Sequence, residues 1–129
     1  LQRLFFDQGL PGGVGTATAL AALGLEANGV GGAGAPPNGS SDEENCLWCL
    51  QNDSILITHD RGKKDKEILK VLDQHLVGVI LVLKDLRSMP PYHLVRALLN
   101  AEGKMDQIAE GKKRLRHVLR TSGGLAPRG

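Results

Sequence analysis

Aromatic side chains are nearly missing from this chain. Phe5, Phe6, Trp48 and Tyr92 are the only four in 129 residues. The core must therefore be built from Leu, Ile, Val and Ala, and the scarcity argues against a single-strand nucleic-acid binder that works by stacking bases on aromatic platforms. Cysteine is rarer still. Cys46 and Cys49 make no disulfide framework, which points to a reducing, cytoplasmic setting. No apolar run approaches the roughly eighteen residues of a membrane span, so no membrane association is expected. No basic segment followed by an apolar one reads as a secretory signal. Basic residues are missing from the first half. Residues 1–60 hold Arg3 against seven acids, a net of −6, whereas residues 61–129 hold fifteen basic residues against seven acids, a net of +8. Such asymmetry suits an anionic partner for the second half, or else a solvated basic face.

What is present is ordinary for one soluble globular domain: 41% hydrophobic and 23% charged residues. The expectation is a single domain over 1–129, with a core at 3–103 and a basic C-terminal extension at 104–129. Leu4-Phe5-Phe6 is a short apolar run that stops at Asp7, followed by a Gly/Pro turn cluster. Val14, Ala17, Leu20 and Ala21 predict a helix near 13–23, and 25–30 a weak strand. Residues 31–41 are a Gly/Pro-rich loop. Ser41 with Glu44 is a capping-box pattern opening a helix that Asn52-Asp53 ends.

Ser54-Ile55-Leu56-Ile57-Thr58 is a β-branched run of the kind buried on both faces of a sheet. Residues 64–75 carry a helical stripe, 77–83 read as another buried strand, and Leu94, Val95, Leu98 and Leu99 define a helix ending near Gly103. A short helix is expected at 105–113. Arg116 to Arg120 reads as its continuation or as a closing strand. Strands alternating with helices predict an α/β fold, a three-layer α/β/α domain with a central, mainly parallel sheet. Ligands of such folds sit at the carboxyl ends of the strands.

Acids stand at those ends. Asp7 directly follows the first strand, Asp60 follows the third, and Asp42 opens a helix leading back into the sheet. Three carboxylates brought to one edge repel unless a cation sits between them. Hard cations such as Mg²⁺ and Mn²⁺ take oxygen ligands of this kind and can lower the pKa of a bound water. Each acid also has an ordinary explanation alone: a turn for Asp7 and Asp60, a helix first turn for Asp42 and Glu43. Arg61, Lys63 and Lys64 lie just beyond Asp60, placed to hold substrate phosphates, with Lys112, Lys113, Arg114 and Arg116 as an extension or a solvated face. Thr58 reads as a group orienting a carboxylate or a water, or as a plain strand residue.

Three short motifs in order resemble those of short PIN-like proteins. They are Phe5-Phe6-Asp7-Gln8-Gly9-Leu10-Pro11, Ser41-Asp42-Glu43-Glu44, and Ile55-Leu56-Ile57-Thr58-His59-Asp60-Arg61, and together they span roughly residues 4–83. The resemblance implies a three-layer PIN-like fold and a Mg²⁺- or Mn²⁺-dependent ribonuclease related to the toxins of toxin–antitoxin pairs. By matching position, Asp7, Asp42 and Asp60 are the implied catalytic and metal-binding residues, with Thr58 the small hydroxyl residue before the last acid. Implied partners are an RNA substrate, an antitoxin protein and a second copy of the chain. Gln8 stands where many short members have an acid, and Gly62-Lys63-Lys64-Asp65 replaces the usual continuation; Glu43 or Asp65 would be the compensating acids. The alternative is a non-catalytic module of the same fold that binds RNA or a protein.

Other patterns fall short. Cys46-Leu47-Trp48-Cys49 lies inside a helix already capped at Ser41, which suits two buried thiols better than a redox or zinc pair. Gly13-Val14-Gly15 lacks the third small residue of a dinucleotide loop, since Thr18 stands there. A receiver domain wants adjacent acids after its first strand, and Asp7 is followed by Gln8. His93 and His117 read as surface groups.

Overall fold

The computed structural model describes residues 3–7, 10, 13–59, 70, 79–82, 88–110 and 116–127. Its elements in chain order are β1 (Arg3–Phe6), α1 (Gly13–Ala22), β2 (Ala27–Gly29), α2 (Asp42–Gln51), β3 (Ser54–His59), β4 (Val79–Val82), α3 (Pro91–Glu110), β5 (Arg116–Leu119) and β6 (Leu125–Pro127). The strands form one sheet in the order β2-β1-β3-β4-β5-β6. Every pairing is parallel except β5 with β6. The α/β class and the mainly parallel sheet are therefore observed. The helix expected over 64–75 lies outside the described residues apart from Lys70.

Alternation along the strands sends side chains to two covered faces. Leu4 and Phe6 of β1, Ile55 and Ile57 of β3 and Leu119 of β5 pack with Ala17 and Leu20 of α1 and with Leu94, Ala97, Leu98 and Ala101 of α3. Phe5 points the other way and meets Trp48 of α2, ring centroids 4.7 Å apart. Each fully buried Phe, Leu or Ile contributes about 1.5–3 kcal/mol over its exposed state. Truncating Leu20, wholly buried between the layers, would cost about 2–5 kcal/mol. Among the described residues the core is mostly aliphatic, with Phe5 and Phe6 among its largest fully buried side chains. Trp48 Nε1 also donates to the Gly34 carbonyl at 3.0 Å, tying the long loop to α2.

Two readings of the second half are corrected. His117 is not a surface group but is buried in β5. The helix α3, which opens at Pro91 where a fixed φ suits the first position and the missing N–H costs nothing, does not end near Gly103. It runs unbroken to Glu110, so the helix expected at 105–113 is its continuation. Gly103 is exposed and weakens the helix by about 1 kcal/mol at most, less than the buried stripe of Leu94, Ala97, Leu98 and Ala101 returns. Arg116 to Leu119 is a strand rather than more helix, and β6 closes the same sheet beside it. Among the described residues, no helix is long and apolar enough to cross a membrane.

Candidate functional site at the carboxyl edge of β1 and β3

The strand order puts a switch point at β1. The chain leaves β1 to form β2 on one side, then returns to form β3 on the other. Connections that diverge in this way open a crevice at the carboxyl ends of the two central strands. Asp7 directly follows β1 at that edge. Phe6 is paired with Ile57 in the parallel register, so Asp7 comes level with Thr58. The Asp7 N–H donates to the Ile57 carbonyl at 2.9 Å, and its own carbonyl accepts from Leu10 N–H at 3.2 Å. The backbone is thus held on both sides. The side chain is held too: Thr58 Oγ1 donates to Asp7 Oδ2 at 2.8 Å. Both residues are buried, Thr58 completely and Asp7 to all but 6%.

The helix α2 packs against β3. Ser41 caps this helix: its hydroxyl accepts from Glu44 N–H at 3.1 Å, and Glu44 Oε1 accepts from Ser41 N–H at 3.2 Å. The predicted capping box is therefore formed, and it fixes where Asp42 and Glu43 begin the helix. Ser40 Oγ donates to Oδ1 of buried Asn45 at 2.7 Å, binding the loop to the same turn.

Cys46 of α2 is buried. Burial pushes its thiol up from 9.0 to about 12, and the negative charges of Asp42, Asp7 and Glu43 add to the effect. The charge of Asp7 thus reaches Cys46 from β1, as those of Asp42 and Glu43 do along α2. Cys49, one turn further on, is raised by burial and then by Cys46. Both thiols are buried and free, as the sequence suggested.

Of the residues singled out from sequence, the structure brings together Asp7 and Thr58, and it places Asp42 and Glu43 in the first turn of α2. Asp60, Arg61, Lys63, Lys64 and Asp65 lie outside the described residues, as do Lys112, Lys113 and Arg114. Among the described residues, no group of three or more His, Cys, Asp or Glu side chains is arranged to hold a metal ion. The acids that are described offer oxygen only, the donor type a hard divalent cation takes, and a full ligand set would need Asp60 as well. Sequence reasoning missed the place of Cys46 in the site. The signal was there in its spacing: it lies four residues after Asp42 and three after Glu43, on their side of a helix. Comparison with protein-family models, with curated proteins and with solved structures finds no match.

Proposed function

We propose that the chain is a metal-dependent ribonuclease of three-layer PIN-like architecture, hydrolysing RNA phosphodiester bonds at the crevice between β1 and β3. The observation that carries this reading is the buried carboxylate of Asp7, held by Thr58 at the switch point of the sheet. A carboxylate is costly to bury without compensation, and the Thr58 hydroxyl is one of the partners that hold it.

In this reading Asp7, Asp42 and Asp60 hold Mg²⁺ or Mn²⁺. When bound, the ion supplies polarisation of a phosphoryl oxygen and a water of lowered pKa. The chain's own residues do the rest. Thr58 keeps Asp7 in one orientation, the Ser41 cap keeps Asp42 at the helix start, and Arg61, Lys63 and Lys64 draw in the phosphates of the substrate. Water attacks phosphorus, one P–O ester bond breaks, and the departing oxygen takes up a proton.

The deciding experiment measures cleavage of a structured RNA with Mn²⁺ and with EDTA, by the wild type and by Asp7→Asn and Asp42→Asn. Cleavage that needs the metal and falls to background in both variants supports the reading. No cleavage by folded wild-type protein across several RNAs would sink it in favour of the non-catalytic binding module.

A further inference from the structure

The four aromatic residues are disposed unequally. Phe5 and Phe6 are buried, Trp48 is half-buried against Phe5, and Tyr92 is 62% exposed. Tyr92 stands in the first turn of α3, and its ring stacks on the imidazole of His93, centroids 4.2 Å apart and planes inclined by 29°. Arg96 Nη2 lies 3.2 Å from His93 Nδ1, in position to donate to it. The imidazole therefore braces both neighbours, and an exposed phenol ring is held beside an exposed guanidinium. Met89, just before the helix, is exposed as well.

The topology places this turn. β4 and β5 are parallel, so the chain leaves β4 at the carboxyl edge and α3 must travel back toward the start of β5. The turn that follows β5 marks the level of that edge. There Gly123 presses so closely on α3 that a Cβ would lie 2.4 Å from Asn100 Cβ and 2.9 Å from the Ala97 carbonyl oxygen. Asn100 Nδ2 also donates to the Ser122 carbonyl at 3.4 Å. Ala97 and Asn100 are thus level with the carboxyl edge, and Tyr92, His93 and Arg96 precede them, beyond it. Asp7 ends β1 at the same edge, three strand spacings from β5, or about 14 Å.

We propose that Tyr92, His93 and Arg96 form a single-strand RNA subsite, in which an unpaired base stacks on the Tyr92 ring and Arg96 meets an adjoining phosphate. The choice of RNA rests on the ribonuclease reading. The choice of a single strand does not: an exposed ring accepts only a base whose face is open, and a duplex hides those faces. A guanidinium beside the ring suits the phosphate that follows. One platform, rather than the row of platforms that the aromatic count rules out, is what a nuclease needs to orient a strand at its cutting edge.

The test is fluorescence anisotropy with a labelled single-stranded RNA in EDTA, which prevents cleavage, with a duplex of the same sequence as control. Tyr92→Ala is expected to weaken single-strand binding at least about fivefold. Tyr92→Phe should bind as the wild type does. Arg96→Ala should weaken binding and flatten its dependence on salt. Duplex binding should not respond to Tyr92→Ala. Tyr92 is exposed, so these variants keep the fold, which a melting curve checks.

The proposal is overturned if the wild type does not bind the single strand, if Tyr92→Ala binds equally well, or if alanine and phenylalanine are equally weak. Tyr92-dependent binding by a protein that never cleaves RNA with Mn²⁺ would support the subsite while removing the ribonuclease reading.

Discussion

Thr58 Oγ1 donates to Asp7 Oδ2 across 51 residues of sequence, at 2.8 Å and out of reach of solvent. A buried hydrogen bond to a charged group contributes about 1.5–3 kcal/mol. Thr58→Val keeps the shape and removes the donor, so it should lower the free energy of unfolding by about that amount in urea titrations, while Thr58→Ser should restore most of it. If Asp7 binds a metal, the same change should cost about 10–100-fold in Mn²⁺ affinity, as loss of an orienting partner does.

Metal binding separates Asp7 from its neighbours. Isothermal titration with Mn²⁺ should give a saturable signal for the wild type and none for Asp7→Asn. Ser41→Ala, which removes the cap without removing a carboxylate, should lower stability by about 1 kcal/mol and weaken Mn²⁺ binding less than Asp42→Asn does. Equal effects of the two would mean that Asp42 contributes only through the helix start.

The two thiols make the fold sensitive to alkali. Cys46 titrates near 12 when folded against 9.0 in the open chain, and Cys49 is raised as well. Between those values the unfolded chain has released protons that the folded one keeps. Stability is therefore full below about pH 9 and falls as the pH rises, by about 1.4 kcal/mol per pH unit for each thiol. Urea midpoints at pH 7.5, 9 and 10.5 should show this decline, and a Cys46→Ala/Cys49→Ala variant should show a flatter one. Native protein at pH 8 should resist iodoacetamide until it is unfolded.

Two glycines should respond in opposite directions to the same substitution. A Cβ on Gly103 meets nothing within 4 Å, so Gly103→Ala should raise stability by about 0.5–1 kcal/mol. Gly123 has φ of +91° and presses on Asn100 and Ala97. Gly123→Ala should destabilise by more than 1 kcal/mol, roughly the cost of a strained backbone plus a displaced contact. Thermal melts of the two variants check both signs.

The parts of the site that local chemistry dictates were readable from sequence. Asp7 is the first polar residue after a three-residue apolar run, Ser41 and Glu44 have the spacing of a capping box, and Ser54–Thr58 could only be a buried strand. What escaped depends on tertiary position. Gly103 looked like a helix end because a glycine's cost is local, while the burial that overrides it comes from a stripe laid on the sheet. Arg116–Leu119 carries arginine and histidine where a sheet strand is expected to be apolar. Tyr92 was counted with the scarce aromatics, and nothing local says that it is the one left in the open. Asp60, which the proposed site needs as its third acid, follows β3 in sequence and lies outside the described residues.

The outer strands β2 and β6 have three residues each, and β6 ends in Pro127, which has no N–H to offer. Beside β2, Asn28 turns its amide to the Ala33 carbonyl and its side-chain oxygen to Gly29 N–H. Both margins of the sheet are therefore poor templates for a foreign strand. A chain whose centre holds such sticky segments as Ile55-Leu56-Ile57 and Val79–Val82 is protected from fibril-like growth by the brevity of its borders. Concentrated solutions should stay clear for as long as the β5–β6 hairpin remains docked.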